Sequence, residues 1–229
     1  VYMESQGVAL KIFAQSWCAP LLDFGTLKKG RLCREYMNHS INEVIEDSGI
    51  NTVILFAEWS NYTAGMRWGD SYISFYTDAE TGHTSGDENI RALSRSFKRT
   101  VNRLIEADKY VIVIGSVPEY ETNIREQLSK AVVLNTSPRI SGQYLQTTKT
   151  YNTRNREFLS IVATIGLQYS IIYVDPFEAL CPNGECEYID QHKRVLYSDG
   201  NHLTGAGADK IMPSIIKAIK VVQGKPVNP

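Results

Sequence analysis

The run Tyr-Val-Ile-Val-Ile-Gly at positions 110–115 is the clearest strand signal in this chain, and three other runs share its character. They are 8–14 (VALKIFA), 52–57 (TVILFA) and 171–174 (IIYV), which are short and largely apolar. Short runs rich in β-branched residues are typical of strands in a parallel sheet that is covered on both faces. The four runs therefore predict the strands of a mainly parallel sheet.

Four segments that alternate with these runs carry apolar residues at helical spacing. They lie at residues 37–45, 90–105, 158–165 and 211–219. Strands that alternate with helices predict an α/β domain with crossover helices. The chain has 229 residues, of which 43% are hydrophobic, and is long enough for one sizeable core. We therefore expect residues 1–229 to form a single α/β domain.

Charge and hydropathy exclude several classes of function. The formal net charge is −1 and there is no basic run, which argues against a nucleic-acid partner. No apolar stretch approaches the roughly 20 residues that a membrane-spanning helix needs. The first residues also lack the pattern of a signal peptide, so we expect any export signal to lie outside this chain.

The four cysteines fall into two local pairs. Cys18 and Cys33 flank a loop, and Cys181 and Cys186 bracket a Pro-Asn-Gly-Glu turn that could bring them within bridging distance. Their spacings match common zinc sites poorly, and no histidine lies close to either pair, so we expect no metal. Two disulfides and an oxidising compartment are the favoured interpretation, and four free thiols are the alternative.

The stretch Tyr197-Ser198-Asp199-Gly200-Asn201-His202-Leu203-Thr204 carries the strongest chemical signal. It places a carboxylate three residues before an imidazole, just ahead of a predicted helix. Such a turn could bring Asp199 against one ring nitrogen of His202, and a serine nucleophile requires that arrangement. The alternative is an aspartate that caps the helix and a histidine that simply lies on the surface.

A polar segment, 61–86, follows the run 52–57 and predicts a loop insertion at the carboxyl end of that strand, the edge where active sites of open α/β sheets collect. At its start, a backbone N–H of Trp59, Ser60 or Asn61, or the Asn61 amide, could stabilise an oxyanion, unless the segment only packs as a loop.

Four aromatic residues of the insertion could stack on a glycan. They are Tyr62, Trp68, Tyr72 and Tyr76.

These residues support a resemblance to a known family. Residues 199–207 (DGNHLTGAG) resemble the last sequence block of the SGNH hydrolase superfamily, whose Asp and His complete a serine triad. Further stretches resemble one branch, the periplasmic SGNH domain fused to bacterial membrane acyltransferases of the acyltransferase-3 family. These stretches are 16–22 (SWCAPLL), 33–35 (CRE), 57–62 (AEWSNY), 117–120 (VPEY) and 175–181 (DPFEALC).

The resemblance implies a three-layer α/β/α, flavodoxin-like fold and a nucleophilic serine in a Gly-Asp-Ser block after the first strand. On this alignment the run 8–14 corresponds to the family's second strand, so the first strand and its serine are expected upstream of Val1. The sequence also contains Gly69-Asp70-Ser71. Ser71 is a weaker candidate, because no buried strand precedes it.

The function that the resemblance implies is O-acetylation of a surface polysaccharide, such as an O-antigen or lipopolysaccharide, through a serine acyl-enzyme. This domain is expected to bind no cofactor. Acetyl-CoA would be the ultimate donor, through a membrane acyltransferase domain that we expect in the same polypeptide. The expected location is the periplasmic side of a bacterial inner membrane. A carbohydrate esterase with the same triad and a non-catalytic glycan-binding module are the alternatives.

Overall fold

The computed structural model describes residues 9–26, 30–68, 73–78, 85–136 and 147–224. Its elements follow one another as β1 (Gly25–Thr26), α1 (Gly30–Glu46), β2 (Thr52–Phe56), α2 (Trp59–Ala64), β3 (Tyr76–Thr77), α3 (Gly86–Glu106), β4 (Tyr110–Ile114), α4 (Ile124–Val133), α5 (Thr148–Gly166), β5 (Ile171–Val174), α6 (Pro176–Leu180), a 3-10 turn (Pro182–Gly184) and α7 (Gly205–Val222).

The central sheet confirms three of the four predicted strands. β2, β4 and β5 are parallel in the order β2-β4-β5, with Val53 opposite Val111 and Ile114 opposite Val174. Alternate residues of β4 enter different cores: Val111 and Val113 join α1, α2, α3 and α5, whereas the intervening Ile112 joins α4, α6 and α7. Because successive strand side chains point to opposite faces, this alternation produces the predicted three-layer α/β/α fold.

The four predicted helical segments lie in α1, α3, α5 and α7. Polar side chains fix where two of these helices begin. The Ser85 hydroxyl accepts a hydrogen bond from the Glu88 N–H at the start of α3, and the Thr204 hydroxyl accepts one from the Gly207 N–H at the start of α7. Both are N-cap bonds, which satisfy backbone donors that the first helical turn leaves unpaired.

The prediction of a strand at 8–14 is wrong for the residues that the structure describes, 9–14, which have no strand conformation. They are anchored to α1 instead, through an ion pair of 2.6 Å between Lys11 and Glu43 and a hydrogen bond of 3.3 Å from Tyr36 to the Ala14 carbonyl. The physical reason is that a strand requires a neighbour in the ladder, and the described residues provide none here.

Residues 9–14 instead form one wall of an apolar groove of about 770 Å³, whose opposite wall is β2. Side chains from both helical layers also line it, including Ile41 and Val44 of α1 and Ile219 of α7. Within the described residues β2 pairs only with β4, so its other edge faces this groove.

The described parts of the predicted loop insertion, 61–86, include regular secondary structure. Its first residues belong to α2, and β3 within it pairs antiparallel with β1. Tyr62 and Tyr76 are buried and both pack on Phe24, so they belong to the core and cannot stack on a glycan. Tyr72 lies outside the described residues.

Both predicted disulfides are present, Cys18–Cys33 and Cys181–Cys186. The first ties the segment before β1 to α1, and the second closes the turn after α6. Among the described residues, no helix combines the length and the apolar character that crossing a membrane requires.

Candidate active site

Residues 197–204, the segment predicted to carry the chemistry, form a tight turn that leads into α7. Tyr197 and Leu203 form an antiparallel bridge, and the Ser198 N–H donates to the His202 carbonyl at 2.8 Å. The Thr204 N–H donates to the Leu196 carbonyl at 2.9 Å. These bonds close the turn and hold the residues from 199 to 202 at its tip.

Asp199 and His202 are in contact at this tip, as predicted. The Asp199 Oδ2 and the His202 Nδ1 are 2.7 Å apart, while Oδ1 of the same carboxylate accepts the backbone N–H groups of Asn201 at 2.9 Å and His202 at 2.8 Å. The alternative prediction was that Asp199 caps the helix, but the N-cap residue of α7 is Thr204. The carboxylate is therefore directed at the imidazole.

The environment keeps Asp199 ionised. Burial raises its pKa, but the N–H groups of Asn201 and His202 and the imidazole outweigh that effect, so the pKa lies below its ordinary value. The side chain of His202 is 69% exposed, and Nε2 has no partner among the described residues. A carboxylate on Nδ1 and an accessible Nε2 are the arrangement of a general base.

Gly200 positions the turn at the carboxyl end of β4. The Tyr120 N–H donates to the Gly200 carbonyl at 2.7 Å, and the Ile124 N–H donates to the Asp199 carbonyl at 3.3 Å. A Cβ on Gly200 would lie 2.6 Å from the Tyr120 carbonyl oxygen, so a side chain cannot fit without movement of the backbone. The glycine permits this close approach.

Arg67, which the sequence did not single out, lies against the same turn. Its Nη2 donates to the Asn201 side-chain carbonyl and lies 3.8 Å from the Asp199 Oδ2, the oxygen that contacts His202. Asn201 is only 9% exposed, and Arg67 is 30% exposed. A guanidinium group is therefore the nearest cation to the Asp–His pair among the described residues.

The two residues that flank Arg67 are held by a buried ion pair. Arg154 and Glu119 are 2.8 Å apart, with side chains 11% and 3% exposed. Arg154 donates through Nη2 to the Met66 carbonyl at 2.5 Å, and the Trp68 N–H donates to Glu119 Oε1 at 3.3 Å. We call these residues, Met66, Trp68, Glu119 and Arg154, the arginine clamp, because they fix the backbone on both sides of Arg67.

The residues predicted to stabilise an oxyanion lie in α2. The Trp59 side chain is fully buried, and its indole N–H donates to the Ile114 carbonyl at 2.8 Å. The Ser60 N–H donates to Ser116 at 3.2 Å. The Asn61 N–H donates to the Glu58 carbonyl at 3.1 Å, while its Oδ1 accepts from Arg154 at 3.0 Å. The Trp59 indole N–H and the Ser60 backbone N–H therefore bond to groups inside the protein. An oxyanion role for the segment stays a prediction.

Ser60 also links two carboxyl groups. Its hydroxyl lies 3.1 Å from Glu58 Oε1 and 2.8 Å from Glu119 Oε2. A hydroxyl has one proton to donate, so one carboxyl must supply the other. Glu119 faces Arg154, whereas burial and the charge of Glu119 raise the pKa of Glu58 well above its ordinary value. Of the two carboxyl groups, Glu58 is therefore the one whose neutral form the site favours.

A polar cavity of about 250 Å³ lies beside the turn, with Asp199 in its lining. Arg67 and Trp68 lie on one side, the segment 119–123 on another, and residues 199–201 complete the lining. The guanidinium of Arg154 lies 5.8 Å from the centre of the Trp68 ring, so the clamp also fixes this side chain of the cavity.

The model of the SGNH domain (fused to AT3 domains) matches residues 1–217. The chain belongs to this family. The description of the family identifies the setting of such domains, which is fusion to AT3 domains. A comparison with curated proteins gives no match.

A solved structure supports the fold of this SGNH domain. The chain is similar to the periplasmic domain of the lipopolysaccharide acetyltransferase of Salmonella ser. Paratyphi A, with 20% sequence identity and a TM-score of 0.61. The match covers 96% of this chain and 76% of the other. At this identity the likeness establishes the α/β/α fold.

Sequence reasoning found the Asp–His pair of the SGNH domain because its residues are three positions apart. It missed Arg67 and Arg154, whose partners lie far along the chain: Arg67 is 134 positions from Asn201, and Arg154 is 93 positions from Asn61. No spacing rule connects such residues. Ser71, the weaker candidate for the nucleophile, lies outside the described residues.

Proposed function

We propose that this SGNH domain is the periplasmic part of a polysaccharide O-acetyltransferase that passes an acetyl group through a serine acyl-enzyme to a sugar hydroxyl. The observation that carries the proposal is the contact of 2.7 Å between Asp199 Oδ2 and His202 Nδ1, with Nε2 accessible. An imidazole held in this way can accept a proton from a hydroxyl and return it.

We place the nucleophilic serine at the end of a strand that precedes Val1 and lies in the apolar groove beside β2. The groove has the lining that a buried strand requires. One wall is the edge of β2 that pairs with none of the described residues, and apolar side chains of α1 and α7 lie on its two faces. A strand parallel to β2 there would bring its carboxyl end to the edge of the sheet where α2 begins and Arg67 reaches the Asp–His turn.

The reaction has two steps. In the first, His202 Nε2 takes the proton of the serine hydroxyl while Oγ attacks the carbonyl carbon of the acetyl donor, and the leaving group departs with that proton. In the second, Nε2 takes the proton of a sugar hydroxyl, whose oxygen attacks the acetyl-serine; the serine oxygen leaves and regains the proton. Asp199 stabilises the imidazolium in both steps.

For the oxyanion of each tetrahedral intermediate we propose Asn61 as a donor. Its Oδ1 accepts from Arg154 at 3.0 Å, which orients the amide, and its Nδ2 has no partner among the described residues. The Asn61 side chain is half-buried at the carboxyl end of β2. A preorganised amide donor of this kind stabilises charge that develops in the transition state.

We further propose that an AT3 domain in the same polypeptide delivers acetyl groups from acetyl-CoA across the membrane, and that the acceptor is a lipopolysaccharide-type glycan. The family description, in which the SGNH domain is fused to AT3 domains, supports the first part. The name of the Salmonella structure supports the second. The two disulfides are typical of a compartment outside the cytoplasm.

One observation favours hydrolysis as a second candidate function. With 69% of the His202 side chain exposed, water has access to the imidazole. The same acyl-enzyme would then transfer its acetyl group to water, and the protein would be a carbohydrate esterase.

The test is a competition between the two acceptors. The full-length protein receives a soluble acetyl ester with or without an O-antigen polysaccharide, and both free acetate and O-acetylated sugar are measured by NMR. We expect the glycan to take acetyl groups at the expense of acetate release, in a reaction that His202→Ala abolishes. Acetate release that the glycan does not change would identify an esterase. Glycan binding without either product would identify a binding module.

A further inference from the structure

Trp17 is an exposed tryptophan in a backbone conformation that does not suit a large side chain. Its φ is 67°, in the left-handed region, and the residue is 66% exposed. The Cys18 N–H donates to the Gln15 carbonyl at 3.1 Å, so residues 15–18 form a turn in which Trp17 is the third residue. Glycine and asparagine are the usual residues at a left-handed third position, because a bulky side chain there strains the backbone. A tryptophan at this position therefore costs stability.

The turn is anchored to α1 on both sides of Trp17. Before it, the Ala14 carbonyl accepts a hydrogen bond from the Tyr36 hydroxyl at 3.3 Å, and after it Cys18 is bonded to Cys33. A single exposed apolar residue is ordinary on a protein surface, but this indole is presented by a fixed and strained turn. A rigid aromatic side chain can bind a ligand with little loss of conformational entropy.

The indole borders a small cleft of about 40 Å³, which Asn61 and Arg67 also line. Arg67 belongs as well to the lining of the polar cavity that contains Asp199, so the cleft adjoins the candidate active site. Its volume is enough for roughly three waters. A hydroxyl or hydroxymethyl group fits in such a space, whereas a whole sugar ring does not. A ring bound here would lie on the indole, with one substituent directed into the cleft.

The groups around the cleft suit a sugar better than an apolar ligand. One face of a pyranose presents C–H groups that can pack on an aromatic ring, while the hydroxyls at its rim require hydrogen-bond partners. Asn61 is half-buried and the Arg67 side chain is 30% exposed, so both place polar groups beside the indole. An acyl chain would desolvate these groups without replacing their hydrogen bonds to water.

We propose that Trp17 binds a sugar ring of the acceptor glycan by stacking, and that the cleft between Trp17, Asn61 and Arg67 receives one substituent of that ring. The inference rests on the proposed function, which makes a glycan the acceptor. Trp17 contacts the glycan away from the reacting atoms, so it is a specificity-determining residue. The aromatic contact then lies outside the segment 61–86, two of whose tyrosines are buried in the core.

The experiment adds a panel of de-O-acetylated O-antigen polysaccharides to the full-length protein, without an acetyl donor. Fluorine NMR of fluorotryptophan-labelled protein follows the Trp17 signal, which is assigned by its absence from Trp17→Asn, and calorimetry gives the affinity. Asparagine removes the indole but adopts the left-handed conformation readily, whereas Trp17→Tyr keeps an aromatic ring. Tyr110→Thr is the matched control, because Tyr110 is a 52% exposed aromatic residue at the amino end of β4, the opposite edge of the sheet.

We expect at least one polysaccharide to shift the Trp17 signal, with an affinity that falls about tenfold in Trp17→Asn and roughly threefold or less in Trp17→Tyr. Tyr110→Thr should bind as the wild type does. The Tm of Trp17→Asn should equal or exceed that of the wild type, because the strained backbone is relieved.

A Trp17 signal that no polysaccharide shifts, or an affinity that Trp17→Asn leaves unchanged, would overturn the proposal. A lower Tm in Trp17→Asn would also overturn it, since the indole would then support the fold. The titration contains no acetyl donor, so glycan binding through Trp17 would stand even if acetyl transfer failed. Acetyl transfer to a glycan whose binding ignores Trp17 would refute this inference alone.

Discussion

The Asp–His turn and the arginine clamp meet at the same edge of the sheet, but they are built from different kinds of contact. In the turn, the contacting side chains Asp199 and His202 are three positions apart, and backbone bonds between nearby residues close the loop. In the clamp, Glu119 reaches 35 positions to Arg154 and 51 positions to Trp68. The Asp–His pair is therefore encoded locally, whereas its electrostatic setting is encoded by the tertiary fold.

If the turn supplies the chemistry and the clamp supports the fold, substitutions in the turn should remove activity and leave the fold intact. We expect His202→Ala to lower kcat by roughly 10⁴-fold or more, and Asp199→Asn by about 10⁴-fold, because an amide favours the wrong tautomer of the imidazole. The measurement is acetyl transfer by the full-length protein. Since the His202 side chain is mostly exposed, the thermal unfolding midpoint of the His202→Ala variant should equal that of the unmodified protein. A large fall in Tm would show that the turn also contributes to the stability of the fold.

Damage to the clamp should have the opposite result, a loss of stability. Removal of one partner from a buried ion pair leaves the other uncompensated, so we expect Glu119→Ala and Arg154→Ala each to cost about 3 kcal/mol in the free energy of unfolding. Urea denaturation measures this cost, and the double variant should lose much less than the sum.

The matched control for the clamp is the exposed pair between Lys130 and Glu126 of α4. Its removal should have little effect, because surface ion pairs contribute little to stability. Equal losses from the two pairs would show that the clamp is an ordinary surface contact.

Much of the fold could be predicted from the sequence because its signals are also local. The runs that became β2, β4 and β5 are apolar over their whole length, as strands covered on both faces must be. Residues 9–14 have a similar composition but form no strand, because a strand also depends on a neighbouring strand, and the described residues provide none beside them. The two-residue strands β1 and β3 are too short to leave a pattern.

The same reasoning explains what could be predicted of the site. Asp199 and His202 form a short motif with a physical meaning, whereas Arg67 is one arginine in a polar segment and Arg154 is one of several charged residues on an amphipathic helix. The polar segment 61–86 predicts a loop insertion whose aromatic residues, Tyr62 and Tyr76 among them, could stack on a glycan. The pairing of β3 with β1 brings them into the core instead.

The smallest expected effect is a difference in stability between alanine variants of two glycines in the motif 199–207. Gly200→Ala should destabilise the protein by about 1–2 kcal/mol, because the new methyl group would meet the Tyr120 carbonyl oxygen. Gly205→Ala, in the first turn of α7, meets nothing within 4 Å and should be neutral or slightly stabilising. Thermal unfolding of both variants tests this, and equal effects would refute the close contact between the turn and the segment after β4.

The proposed mechanism requires His202 to activate a serine carried on a strand in the groove beside β2. The most direct measurement is to label the full-length protein with a fluorophosphonate, which reacts covalently with activated serines, and to map the labelled residue by mass spectrometry of its peptides. We expect one labelled serine, located before Val1, and loss of the label in His202→Ala. A label on Ser71, or labelling that does not depend on His202, would contradict it.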